Sequence, residues 1–433
     1  MSNTLPTRGA VFWPVGTGDS TTIVIDDDSV MQIDLHDMAK ADDDGTPEVP
    51  VVDELVASLP LRDGKPYLAV FALTHADKDH CLGFADLLDK VTIGELWATP
   101  RLWREYNDGT EADLCEDARA FQEEAERRVE AVRTAVANSE EPASGDRIIV
   151  IGYDTDHDKH AYDDLPERFK SGPGKSITAL DGEDTSGRFE AFIHAPFAAD
   201  AAAPRNETSL AMQITLLHDS GTTGKMLLFG DLAHDTIMKI FSYSEDKGRE
   251  ERLEWDLLLA PHHCSKMVMY LHSVDGSEQL QEDVLEAFER HRLDNAVVVS
   301  SSGQIPEADK ASANPPHKMA FDRYSEVADE VLVTMEYLDL NQPSPIVFGV
   351  TADGAGIVRD ETVELAASET LAHRELAVAE SRLAAVAAAA ALVAKAVASG
   401  GASVGSGPDR IRQETSEDRG GATAPATAVG FGR

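Results

Sequence analysis

Two imidazoles and two carboxylates stand within one short stretch of the chain: His75, Asp77, Asp79 and His80, in Leu73-Thr-His-Ala-Asp-Lys-Asp-His-Cys-Leu-Gly83. Imidazole with carboxylate is a ligand set suited to divalent first-row metals, and a tight turn at a strand end can aim alternate side chains into one cavity. A polar turn with helix-capping aspartates is the plainer alternative. Two further apolar runs end in the same kind of residue. Leu227-Leu-Phe-Gly230 is followed by Asp231, and Leu257-Leu-Leu-Ala-Pro261 by His262 and His263. Asp231 alone would read as a helix N-cap. Adjacent histidines after a buried strand are seldom both core residues, because each has two ring nitrogens to satisfy. Three strand ends delivering His, Asp and His in one chain order are more specific than any one of them.

The elements that must position these groups follow from the hydrophobic pattern. Residues 10–14, 21–26 and 30–34 read as strands, the first two joined by the turn Gly16-Thr-Gly18-Asp19-Ser20. Helical spacing over 51–59 precedes a continuous apolar run at 67–73, which leads into His75. Residues 113–138 are rich in Glu, Ala and Arg without Gly or Pro and predict a long helix. Residues 139–185 turn to Asp, Gly, Ser and Pro around one strand at 147–151, so about 105–185 reads as a helical and acidic insertion. Apolar strands follow at 189–193, 210–217, 225–229, 255–259 and 296–300, the later ones separated by helical patterns, then closing strands at 331–336, 346–350 and 356–358. Strands alternating with helices predict a layered α/β fold over 1–358. An Ala-rich helix is expected over 359–398 and a disordered tail over 399–433.

The 433 residues carry 38 Lys and Arg against 78 Asp and Glu, a formal charge of −40. That excludes a basic nucleic-acid coat protein, and any phosphate-bearing substrate must be attracted locally, by metal ions or a positive pocket. With 42% hydrophobic residues a sizeable core is available. Three cysteines, Cys81, Cys115 and Cys264, form no CxxC pair and predict neither a disulfide framework nor a thiolate zinc site. No apolar run reaches the length of a membrane span, and the first ten residues lack a signal-peptide pattern. A cytoplasmic protein without membrane contact is expected.

The order of motifs resembles the metallo-β-lactamase-fold metallohydrolases, most of all the soluble hydrolase domain of ComEC-type competence proteins and their stand-alone relatives. The resemblance spans about residues 9–358. It rests on the Gly16 to Ser20 turn, Ile33-Asp34, the His75 to His80 motif, Asn206-Glu-Thr-Ser209-Leu210, Gly230-Asp231 and Pro261-His262-His263, with Asn314 and His317 matching a later Asn and His. It implies a four-layer αββα sandwich with two divalent ions, zinc or manganese, at one edge. His75 and Asp77 would belong mainly to the first metal, Asp79 and His80 to the second. Asp231 would bridge, His262 would close the second site, and His194 would complete the first. Asp77 stands where many members carry His, and the resulting anionic ligand set favours manganese or magnesium over zinc. His36 and Cys264 stand where the family pattern has Gly, which alters the loops at the site.

The implied reaction is hydrolysis of a phosphodiester, in a nucleotide or a short nucleic-acid-like substrate, by a metal-activated hydroxide. Asp79 and Asp231 would orient the nucleophile, and His263 or His317 would serve the leaving oxygen. Asn206, Ser209 and Lys266 are candidate substrate contacts. The same scaffold supports ester, thioester and lactam hydrolysis. A metal-stabilised protein that binds a partner or a second copy through the Ala-rich helix is the alternative outside catalysis. The acidic, His-containing stretch 154–160 lacks the Gly and Glu of a calcium loop and reads as a solvated turn.

Overall fold

The apolar runs that announce the strands are buried on both faces. Val70 and Ala72 share an apolar cluster with Leu257 and Leu259 of a second sheet, whereas their neighbours Phe71 and Leu258 face outward, each into a separate helix-covered cluster. Continuous rather than alternating hydrophobicity is what a strand covered on both sides requires. The structure, a computed structural model, describes residues 5–40, 49–108, 114–154, 161–200, 203–272, 277–310 and 314–359. The expected helix and tail beyond residue 359 lie outside the described residues, as does most of the stretch 154–160.

Among the described residues the first sheet has ten strands, one of them the short Leu61–Arg62 paired beside Lys65–Ala72. Its parallel part runs Ser29–Ile33, Lys65–Ala72, Thr92–Ala98, Arg147–Ile151, Lys170–Ser171. Its antiparallel part adds Thr21–Asp26, Gly9–Phe12, Ile346–Thr351 and Gly354–Ile357. The second sheet has seven strands. Thr223–Leu228, Trp255–Leu259, Arg292–Ser300 and Glu330–Val333 are parallel, and Ala211–Leu217, Phe189–Ala195 and Ser176–Ile177 continue it antiparallel. Helices Val51–Ser58, Phe84–Lys90 and Glu116–Ala137 cover the outer face of the first sheet. His234–Asp246, Glu282–His291 and Lys318–Val327 cover that of the second. The expected four-layer αββα arrangement is therefore what the chain adopts.

The strand Arg147–Ile151 of the expected insertion is a member of the first sheet, beside Thr92–Ala98. The long helix docks there through Arg128, which is 1% exposed and donates to the carbonyls of Ile93, Gly94 and Arg147 while pairing with Glu124. At the start of that helix Asp117 accepts from the backbone N–H groups of Gly83 and Ala85, tying it to the loop after His80. Among the described residues, no helix is long and apolar enough to cross a membrane.

Candidate metal centre

Parallel strands bring their C-terminal ends to one edge of the sandwich, the place where α/β sheets leave room for ligands. Here the strands ending at Ile33, Ala72, Leu228, Leu259 and Ser300 deliver Asp34, His75, Asp231, His262, His263 and Ser301. The turn between the first two strands adds Asp19, whose N–H donates to the Asp79 carbonyl at 3.0 Å. Donor atoms of Asp19, His80, Asp231 and His263 all lie within 4.8 Å of one another, and all four residues are buried.

Asp231 stands at the middle of the donor set. Its Oδ1 is 3.3 Å from His80 Nε2 and 3.4 Å from His263 Nε2, and its Oδ2 is 3.7 Å from both His75 Nε2 and His262 Nε2. The two oxygens thus face two groups of imidazoles. Asp79 joins the first, 3.6 Å from His263, and Asp77 the second, 3.6 Å from His75. Buried polar atoms are normally satisfied, yet His75 Nε2, Asp231 Oδ1 and His262 Nδ1 have no hydrogen-bond partner. Lone pairs on His75 Nε2 and Asp231 Oδ1 that meet no hydrogen fit a divalent cation as the missing partner.

The chain fixes which ring nitrogen His75, His80 and His263 present. His80 Nδ1 is 2.7 Å from Asp34, His263 Nδ1 donates to the Ser301 carbonyl at 3.0 Å, and His75 Nδ1 lies 3.1 Å from the Thr74 hydroxyl and 3.3 Å from that of Ser209. With Nδ1 held from behind, Nε2 is left for the cavity, the outer-shell arrangement of metal-ligating histidines. Backbone geometry contributes too. Asp34, His262, His263 and Cys264 have φ of 53°, 51°, 53° and 64°, a left-handed conformation that disfavours side chains with a Cβ. Cys264 thus holds a glycine-like conformation, with its buried thiol pushed up to about 12 by burial.

The electrostatics describe a cavity balanced by protons when no cation is present. Burial alone would lower His80 and His263, but Asp231 and Asp34 hold His80 well above its usual range, and Asp231 and Asp19 hold His263 at about 9. Burial would raise Asp231, yet His263 and His80 keep it well below the carboxylate range. Burial and then the neighbouring His80 lower His75. A histidine raised on folding contributes stability that is fully present below its unfolded value, about 6.5, and lost as pH rises through the folded one. Thermal melts of chelated protein are therefore expected to show a midpoint falling from about pH 6.5 to about pH 9. Zinc should reverse the loss by replacing the protons. A midpoint flat across this window would contradict the balance described.

The sequence-predicted residues separate accordingly. His75, Asp77, Asp79, His80, Asp231, His262 and Asn206 come together, the Asn206 amide lying 3.4 Å from both Asp231 Oδ2 and His262 Nε2. The histidine pair is distributed differently from expectation: His263 stands beside Asp79 and His80, and His262 beside Asp231 Oδ2 and Asn206. His194 is not brought to the cluster. Its Nε2 bonds the Arg252 carbonyl at 2.9 Å, and it shares the outward face of its strand with Phe192, while Ala191 and Ile193 point between the sheets. Ser209 is fully buried beneath the site, where its hydroxyl accepts from the Asp231 N–H and donates to the Asn206 carbonyl; it positions ligands rather than meeting substrate. Lys266 is also buried and gives its ammonium to Glu278 at 2.6 Å. His317 is buried, with Nδ1 accepting from the Lys266 N–H.

Asp19 and Asp34 are site residues that the motif reading left as parts of a turn and a strand end. His36, which the resemblance already marked as departing from Gly, fills space left by Gly18, where a Cβ would collide with its ring, and burial lowers it to about 4. Replacing Asp19 by Ala is expected to weaken metal binding by roughly tenfold to a hundredfold in competition with a chromophoric chelator. Unchanged affinity would remove Asp19 from the donor set.

No protein-family model matches the chain. No curated protein matches it either. Among solved structures it is similar to a diphosphatase from the PhnP family, at 10% identity over 81% of this chain and 98% of that one, with a TM-score of 0.32. It is also similar to the metallo-β-lactamase MIM-1 from Novosphingobium pentaromativorans, at 12% identity over 59% of this chain and 77% of that one, with a TM-score of 0.28.

Proposed function

We propose that this chain is a metal-dependent hydrolase of the metallo-β-lactamase type that holds two divalent ions and cleaves a phosphodiester in a nucleotide or a short nucleic-acid-like substrate. The observation that carries the reading is Asp231, whose two oxygens face two separate sets of imidazole nitrogens within a buried pocket of unsatisfied polar atoms. Asp19, Asp79, His80 and His263 would hold one ion, and His75, Asp77 and His262 the other, with Asp231 between them. Bound ions at such a centre lower the pKa of water toward neutrality and neutralise charge developing on a phosphoryl oxygen.

The chain's own residues supply the rest. Asp231 stays ionised because His263 and His80 outweigh its burial, so it remains an acceptor throughout the working range. The Asn206 amide, carried on the short helix Asn206–Thr208 and 3.4 Å from Asp231 Oδ2, would donate to a non-bridging oxygen of the substrate. Arg205 holds a guanidinium 2.8 Å from Asp77 at the same rim, a local positive charge on a chain whose overall field repels anions. The carboxylate-rich donor set favours a hard cation, so manganese should support turnover at least as well as zinc.

The reading is tested by stripping the protein and refilling it with manganese, zinc or magnesium, then following bis-nitrophenyl phosphate hydrolysis. Manganese-dependent turnover is expected. Two tightly held ions with no turnover under any metal would discard the phosphodiesterase reading and direct the search to thioesters and lactams.

A further inference from the structure

Outside the donor set, the sulfurs of Cys81 and Cys115 lie 3.6 Å apart, although 34 positions separate them in sequence. Cys81 directly follows His80 and is fully buried, with its thiol directed at the Asp77 carbonyl at 3.2 Å. Cys115 is half-buried and caps the long helix Glu116–Ala137, its sulfur accepting from the Ala118 N–H at 3.4 Å. A helix N-terminus favours the thiolate, and the nearby Cys81 thiol and the Ala118 N–H together bring Cys115 down to about 6 despite its partial burial. One sulfur therefore belongs to a partly exposed residue and is held toward its nucleophilic form, and the other is buried against it. The third cysteine, Cys264, is fully buried elsewhere.

We propose that Cys81 and Cys115 form a peroxide-responsive dithiol, with Cys115 as the attacking sulfur and Cys81 as the resolving one, linked through His80 to the metal centre. The Cys115 thiolate attacks one oxygen of hydrogen peroxide and the O–O bond breaks, leaving a sulfenic acid and a hydroxide that takes up a proton as water. The Cys81 sulfur then attacks that of Cys115. The S–S bond forms, the S–O bond breaks, and the departing hydroxide leaves as a second water with the Cys81 proton. Two electrons pass from the thiols to the peroxide, and an external dithiol reverses the change by exchange. Closing the bond requires the sulfurs to approach to about 2.05 Å. That movement pulls on the residue next to His80, whose ring is held against Asp34, and on a helix start already tied to the same loop by Asp117. A disturbance transmitted through such support weakens metal affinity by roughly tenfold to a hundredfold.

The full-length protein is treated with stoichiometric hydrogen peroxide, alkylated, digested without reductant and mapped by mass spectrometry. The expected product is a Cys81 to Cys115 cross-linked peptide lighter by two hydrogens, absent after reduction, with Cys264 still alkylated in the same sample. Cys115→Ser should leave Cys81 unoxidised, and Cys81→Ser should leave a Cys115 sulfenic acid that dimedone traps. Oxidation of Cys115 straight to the sulfinic acid in the wild-type protein, or equal reactivity of all three thiols, overturns the dithiol. Should Cys81→Ser fail to fold, the wild-type map and Cys115→Ser decide. The link to the metal rests on the metal-centre reading above and is measured separately, as zinc affinity of reduced against oxidised protein. Equal affinities overturn the link, whereas absence of zinc binding in both forms counts against the metal centre and leaves the peptide map to decide the dithiol.

Discussion

Asp231→Asn is expected to lower phosphodiester turnover by a factor on the order of 10³ or more, and to leave the protein holding fewer ions after dialysis. The substitution keeps the shape of the side chain and removes its charge. Four imidazoles face this carboxylate, two on each oxygen, so its loss leaves neither donor group with an anionic partner between them. It should also leave a signature in the metal-free protein. His263 is held at about 9 by Asp231 first and Asp19 second, against its burial. Without the Asp231 charge that support shrinks, and the fall in thermal midpoint between about pH 6.5 and pH 9 should flatten. Metal content by emission spectroscopy, turnover of bis-nitrophenyl phosphate, and melts across pH give three independent readouts. Wild-type activity in the variant would remove Asp231 from the centre of the mechanism.

The parts of this site that are legible in the sequence are those where a buried strand runs straight into its functional residue. The apolar runs before His75, Asp231 and His262 mark three parallel strands, and parallel strands end at one edge. His194 shows the limit of that reasoning. It too ends an apolar strand, but its position is one step out of phase with Ala191 and Ile193, and the pairing with Ala211–Leu217 is irregular between Ile193 and Ala195. In a strand, one step decides which face a side chain takes. The strand that should have delivered a ligand therefore turns it outward to Arg252.

Asp19 escapes for a different reason. It lies in a glycine-containing turn far upstream, and it reaches the donors through long-range hydrogen bonds that hold this turn to the backbone of Asp79 and to Ser301. Such a contact has no local periodicity to betray it. The histidine pair departs from the resemblance, which gives the second ion to His262, because within the short segment Pro261–Cys264 neither histidine follows strand or helix geometry. Both adopt left-handed backbone, their rings 6.3 Å apart and 78° inclined, so the usual alternation rule does not say which one faces which oxygen of Asp231. The helix Glu116–Ala137 and the strand Arg147–Ile151 lie in a stretch whose composition reads as an insertion. The strand's register with Thr92–Ala98 and the Arg128 bonds to strand carbonyls are long-range and have no sequence signature.

Asp34 offers the sharpest separation of support from ligation. Its carboxylate, 1% exposed, accepts from the Thr74 N–H at 2.7 Å, the Thr74 hydroxyl at 2.6 Å and His80 Nδ1 at 2.7 Å, so one side chain fixes both the strand end before His75 and the ring of His80. It does this from a backbone φ of 53°, which Asn and Gly tolerate and Ala does not. Asp34→Ala leaves buried donors unsatisfied and adds backbone strain. It should lower the stability of the chelated protein by about 4 kcal/mol in urea titrations and weaken zinc binding by roughly tenfold to a hundredfold. Asp34→Gly removes the same bonds but relieves the strain, so it should recover about 1 kcal/mol while binding zinc as poorly as the Ala variant. Asp34→Asn keeps one acceptor oxygen and the tolerated φ, so its stability should fall between wild type and Gly. If Gly restored zinc affinity as well as stability, the role of Asp34 would lie in the turn and not in the orientation of His80. If all three variants bound zinc like the parent, the orientation of His80 would not depend on this carboxylate at all.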